Sequence, residues 1–255
     1  MKSSTLERAL GAMTIFVILA SLEIAVRSGY VNVALTPSPS VVFAKTAGII
    51  VAGSLWEPLR STLYLLFTAY LLGSFLAISL GLLMGRIQPL YDLFEPLIEF
   101  LRPLPKPALL PPLILFLGLG DAMKLTVVGM GVFFPVLVNT IQGVRGTDPV
   151  QLDVARTLGH SRTSALVSVV LPSALPMIFA GLRVSLGLGL ILVVIAEMLA
   201  GTGGVGYLII DMQRSFQVAN MYAWILILAV LGFVLNYLFL QLERRVIPWA
   251  IPSSN

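Results

Sequence analysis

The sequence predicts an all-α polytopic membrane protein of about six transmembrane helices, and three observations carry that prediction. Hydrophobic residues fill 58% of the 255 positions and charged residues only 11%, where a soluble domain carries about a quarter charged residues. The mean hydropathy is +0.97. Three segments, Ser61–Gly85, Leu125–Val144 and Met221–Leu242, run for 25, 20 and 22 residues without one charge, and about 20 apolar residues make a helix long enough for a bilayer core. Alternating apolar–polar decapeptides are missing, which argues against a β-barrel.

Taken in order, the first span is Leu10–Val26, apolar except for Glu23 and preceded by Lys2 and Arg8. No A-x-A-like cleavage site follows, so it reads as an uncleaved helix. Arg27–Arg60 reads as a mixed loop rich in Ser and Pro, and Ser61–Gly85 is the second span. The third, Ala108–Gly120, has 13 residues and needs Pro103–Pro107 as an irregular lead-in. Leu125–Val144 is the fourth. Pro172–Ala200, the fifth, is long enough to span but contains Arg183 and Glu197, and Met221–Leu242 is the sixth.

Lys and Arg set the orientation. With the N-terminus inside, ten fall on the inner side (Lys2, Arg8, Arg86, Arg102, Lys106, Arg145, Arg156, Arg162, Arg244 and Arg245). Five fall outside (Arg27, Lys45, Arg60, Lys124 and Arg214), with Arg183 within the membrane. Both termini are therefore expected in the cytoplasm. The net charge of +4 is mostly this topology signal, and no nucleic-acid partner is called for. The organisation is 1–58 as first helix and outer loop, 59–248 as core, and 249–255 as a short cytoplasmic tail.

Lipid offers no hydrophobic drive for helix association, so small residues at the contacts matter. Ala69, Gly73, Ala77, Gly81 and Gly85 recur every four residues on the second span, and Gly181, Ser185 and Gly189 on the fifth. These ridges predict two tightly packed helices in the core of the fold.

Catalytic constellations are absent. The chain has one histidine and no cysteine, so zinc sites of the H-E-x-x-H type and Cys–His dyads cannot be built. It holds no G-x-S-x-G elbow and no G-x-x-x-x-G-K-[ST] phosphate loop. GTGGVG at Gly201–Gly206 matches G-x-G-x-x-G literally, but it follows a membrane helix on the outer side, whereas a dinucleotide site follows a strand. It reads as a tight turn.

One polar stretch stands between two apolar runs: DVARTLGHSRTSALVSVVLP, Asp153–Pro172. Asp148 suits an N-cap, Pro149 the first helical position, and Gln151 sits three residues after the cap. Val150, Val154 and Leu158 make one apolar ridge. Gly159 is placed to end the helix in a left-handed turn, after which Ser161 can cap a second helix running to Pro172. A short exposed helix with an apolar ridge wants a partner groove; the alternative is a loop helix resting on the lipid interface.

The spacing Asp153-Val154-Ala155, three residues, Gly159, nine residues, Val169, one residue, Leu171-Pro172 resembles the E-A-A-x3-G-x9-I-x-L-P signature of permease subunits of binding-protein-dependent ABC importers. Asp153 stands where that family prefers Glu, Val154 where it prefers Ala, and Val169 where it prefers Ile. The runs Leu101–Lys124 and Leu175–Ile209 resemble the branch importing aliphatic sulfonates, taurine or nitrate, and the likeness covers roughly Ser61 to Arg245. It implies a helical fold of the methionine-permease type (a type I ABC importer), with coupling helices within 148–171. Asp153, Val154, Ala155, Leu158, Gly159 and His160 would then dock into a separate ATPase subunit. It also implies a homodimer in the bacterial inner membrane, with two ATPases below and a periplasmic or lipid-anchored substrate-binding protein above. ATP and magnesium would be held by the ATPases, and no cofactor by this chain.

Buried charge gives the candidate path. Arg183 and Glu197 are fourteen residues apart, about 40° apart around a helix and ~21 Å along its axis, too far for a salt bridge. Arg183 is expected either to snorkel or pack on carbonyls, or to face a cavity used by an anion, with Glu197 near the outer gate and Asn139 as a polar neighbour. The rival reading is an ion-coupled secondary transporter, which wants membrane-embedded carboxylates and inverted repeats. Only Glu23 and Glu197 lie near spans, and no repeat is visible. A membrane enzyme lacks a nucleophile or metal set. Within the importer class, bicarbonate, aromatic acids and vitamin precursors are alternative solutes.

Overall fold

The computed structural model describes residues 2–250, and every described element is helical. In chain order these are α1 (Lys2–Arg27), α2 (Pro39–Val51), α3 (Trp56–Arg86), α4 (Gln88–Leu101), α5 (Leu110–Leu117), α6 (Asp121–Arg145), α7 (Pro149–Thr157), α8 (Arg162–Ala165), α9 (Leu171–Ala200), α10 (Val205–Arg214) and α11 (Val218–Val246). Four stretches, α3, α6, Thr163–Ala200 and α11, are each long and apolar enough to cross a membrane; α4 and Lys106–Leu117, bent by 89°, make a fifth if counted as one broken span. The first predicted span lies within the 26 residues of α1. Of the predicted tail, Ile251–Asn255 lies outside the described residues.

α6 is the central helix, packed on α3 along one side and α9 along the other. Its Val127, Val128, Val132, Val136 and Leu137 are fully buried. The two small-residue ridges are what let the neighbours close on it. A Cβ on Gly73 would stand 3.1 Å from Gly129 O, one on Gly81 2.7 Å from Thr140 Cβ, and one on Gly85 2.6 Å from Val144 Cβ, with Ala77 buried between them. From the other side, a Cβ on Gly181 would stand 2.8 Å from Asn139 Cβ and 3.0 Å from Pro135 O. Gly189 faces Val132 of α6 and also Leu66 of α3, while Ser185 is buried and donates to Leu182 O at 2.9 Å. Tyr70 OH donates to the same carbonyl at 3.0 Å, tying α3 to α9. The outward residues, such as Phe75 on α3 and Phe233 on α11, are large, apolar and exposed, as a lipid-facing surface requires.

The fold departs from the sequence expectation in three places. The stretch read as a Ser/Pro-rich loop contains α2, started by Pro39 at its first turn and packed against α11. Its 13 residues are too few to span, and Pro and Ser around it mask the apolar run. The third span is broken: Pro103, Pro105 and Pro107 interrupt the chain between α4 and the 3₁₀ turn Lys106–Leu109, because proline removes the N–H and restricts the residue before it. The fifth span begins earlier than Pro172. α8 runs through a π turn, Leu166–Val170, into α9; Pro172 cannot donate a backbone hydrogen bond, and the wider turn absorbs the gap.

Candidate coupling site and buried charge ties

The polar island folds as α7, a glycine turn and α8. Asp148 Oδ1 accepts from Val150 N at 2.9 Å and Pro149 opens the helix. At the other end His160 N donates to Ala155 O and Gly159 N to Arg156 O, both at 3.0 Å. This is a Schellman closure with Gly159 at φ +79, where a glycine carries no Cβ penalty. Ser161 Oγ accepts from Ser164 N at 3.2 Å and caps α8. His160 Nδ1 lies 2.8 Å from Ser164 Oγ, which pins the ring to the second helix.

Ala155 is buried, and it anchors α7 to the body. Val150, Val154 and Leu158, at 67%, 53% and 72% exposure, face away from it. Asp153 is exposed and pairs with Arg156 at 2.9 Å. Val150 and Val154 also wall a groove of about 650 Å³ whose far side is Pro172 and Trp249, so the C-terminal end of α11 reaches the same end of the molecule as α7. Among the described residues no group of His, Asp and Glu is placed to hold a metal. The arrangement offers an apolar ridge on a rigid, capped helix.

Each of the three predicted path residues is engaged within this copy of the chain. Asn139 Nδ2 donates to Pro135 O at 2.8 Å, opposite Gly181. Arg183 forms an ion pair with Glu243 of α11, a third outcome beyond snorkelling or facing a cavity. Glu197, expected near the outer gate, is fully buried. Its carboxylate accepts from Thr62 Oγ1 at 2.9 Å and Gly206 N at 2.9 Å, and Thr62 Oγ1 in turn accepts from Val205 N at 2.9 Å. Gly204, at φ +95, passes so close that any Cβ would collide with the Glu197 carboxylate. The GTGGVG turn is thus a cradle for one side chain, joining α3, α9 and α10. Lys124, itself buried, lies 3.3 Å from Asp121 and adds positive charge near it.

Sequence reasoning missed Thr62, Glu243 and Trp249. Glu243 carried a usable signal, being the first charge after an uncharged run and on the side where Arg183 needs an anion. Thr62 and Trp249 carried none, since their roles depend on contacts distant in sequence.

Comparison with known proteins adds the following. Residues 69–248 match the family model of the binding-protein-dependent transport system inner membrane component. The chain is 33% identical over 233 residues to a putative aliphatic sulfonates transport permease protein of Bacillus subtilis (strain 168), covering 91% of this chain and 84% of that one. It is 31% identical over 218 residues to a taurine transport system permease protein of Escherichia coli (strain K12), covering 84% and 79%. In fold it is similar to a chain of the MetNI methionine ABC transporter in inward-facing conformations, with a TM-score of 0.65 at 17% identity, covering 76% of this chain and 98% of that one.

Proposed function

The chain belongs to the family of binding-protein-dependent transport system inner membrane components and is a permease subunit of an ABC importer; from that premise we propose that it passes a small anion, such as a sulfonate, taurine or nitrate, into the cytoplasm by alternating access. Two copies form the path. ATP draws two ATPase subunits together below them, and the ATPases pull α7 of each copy through the ridge of Val150, Val154 and Leu158. The permease halves rock from inward-open to outward-open, a loaded binding protein releases its solute from the other side, and hydrolysis resets the cycle. Both termini lie in the cytoplasm in this reading.

The observation that carries it is the geometry of α7: capped at both ends, anchored through buried Ala155, and presenting an exposed apolar ridge. A ridge on a rigid lever transmits a pull, whereas a helix merely resting on lipid needs no Schellman closure aimed back into a membrane span. The ion-coupled rival wants a free membrane carboxylate. Glu197 is locked as described, and Glu23 accepts from Ser40 N and Ser40 Oγ and pairs with Arg27. Neither is free to carry an ion.

Gly159→Val tests the lever. Open space surrounds Gly159, so the substitution acts through backbone conformation alone, forcing a β-branched residue to positive φ. The variant is expected to insert and fold, yet to lose ATP hydrolysis stimulated by loaded binding protein, and with it uptake into proteoliposomes. Normal uptake by Gly159→Val removes the coupling role from this turn.

A further inference from the structure

Phe216 stands apart. It is the only non-glycine residue at positive φ among those described (φ 55), and its side chain is 89% exposed. The strain has a local source. Gln217 N donates to Met212 O at 2.8 Å and Phe216 N to Gln213 O at 3.1 Å, the same closure that ends α7, with phenylalanine in the position glycine holds there. Asn220 Nδ2 donates to Gln217 Oε1 at 2.7 Å and fixes the following turn. A large apolar ring is therefore held out into solvent on a backbone that a glycine would adopt at no cost. Among the described residues no contact rewards that arrangement.

The ring borders a groove of about 400 Å³ between the α10–α11 turn and the chain leading into α2, whose walls include Val33, Ser38, Lys45 and Asn220. Val33 is 63% exposed. The Lys45 ammonium has no hydrogen bond or ion pair among the described residues. The groove thus pairs apolar walls with an unneutralised ammonium. Its location narrows the occupant. Phe216 precedes α11, while Trp249, beside α7, follows it; the 29 residues of α11 separate the two ends by about 43 Å. A partner at Phe216 is therefore on the opposite side of the membrane from the ATPases.

Resting on the importer reading above, we propose that Phe216 and Lys45 form a docking site for the substrate-binding protein, receiving a surface loop that carries a carboxylate beside an apolar side chain. Phe216 is the anchor that fills the partner's apolar pocket, and Lys45 pairs with the carboxylate. The positive φ keeps the ring presented before the partner arrives, which lowers the ordering cost of binding.

The test uses the full complex of permease, ATPases and cognate binding protein in proteoliposomes. Phe216→Gly removes the strain, so the permease should melt no lower than the parent. Yet the binding-protein concentration giving half-maximal stimulation of ATP hydrolysis should rise about tenfold, as for loss of an interface anchor, and be overcome at saturation. Lys45→Glu should raise it too, and a Lys substituted for the partner carboxylate should partly restore it. The chain has no cysteine, so Phe216→Cys labelled with a benzophenone maleimide should cross-link to the binding protein on illumination. Unchanged half-stimulating concentrations in both variants overturn the proposal, as does quenching of a fluorophore on Phe216→Cys by brominated lipid. A parent complex with no stimulation at all overturns the importer reading first, and this site with it.

Discussion

At the scale of single residues, the charges buried in this membrane protein are structural ties. Glu197 satisfies the Thr62 hydroxyl of α3 and the Gly206 N–H of α10, and an unsatisfied buried polar group costs about 1–3 kcal/mol. Glu197→Ala should therefore lower the melting temperature of the detergent-solubilised protein by several degrees. Gly204→Ala should do at least as much, since it adds both a collision with the carboxylate and an unfavourable φ. Equal melting of Gly204→Ala and parent would mean that the cradle is not formed. Arg183 and Glu243 call for a double-mutant cycle. Each single change to Gln leaves a half-buried partner unpaired, so Arg183→Gln and Glu243→Gln together should cost less than the sum of the two. Additive losses would show that the pair is not coupled. The presence of charges in the fifth span was legible in the sequence. The tie from Thr62 to Glu197 was not, because the two lie 135 residues apart in the chain.

At the scale of elements, α6 is gripped from two sides by small residues, and the grip is position-specific. Gly181→Ala would push a methyl into Asn139 Cβ and the Pro135 carbonyl, whereas a Cβ on Gly187, six residues on, meets nothing within 4 Å. The first should destabilise by roughly 1–3 kcal/mol, and the second should be neutral or stabilise by up to about 1 kcal/mol, because alanine favours helix over glycine. Detergent melts of the two variants separate the outcomes, and loss of stability in both would place Gly187 in a contact this single copy lacks. The four-residue spacing revealed the ridges because periodicity is local. That both ridges close on the same uncharged helix was not legible, since the contacts join residues far apart in the chain. α2 escaped notice for a different reason: its run is shorter than a span and framed by turn-forming residues, yet α11 supplies the packing partner that makes it a helix.

At the scale of the whole molecule, two differently built ends are joined by the rigid stack of α3, α6, α9 and α11. One end carries the capped α7 lever with its apolar ridge, and the other carries Phe216 and the Lys45 groove. Of the carboxylates within the spans, Glu197 and Glu243 are both engaged by other elements. The charge bias that favours a cytoplasmic α7 was readable from Lys and Arg positions alone, while the strained turn before α11 required a backbone. The account stands on transport being driven by ATP through α7. The most direct measurement is uptake of a labelled solute, one retained by the cognate binding protein, into proteoliposomes holding the permease, its ATPases and internal ATP. Uptake should require hydrolysable ATP and persist when ionophores collapse proton and sodium gradients. Uptake by the permease without ATPases, abolished by those ionophores, would contradict it.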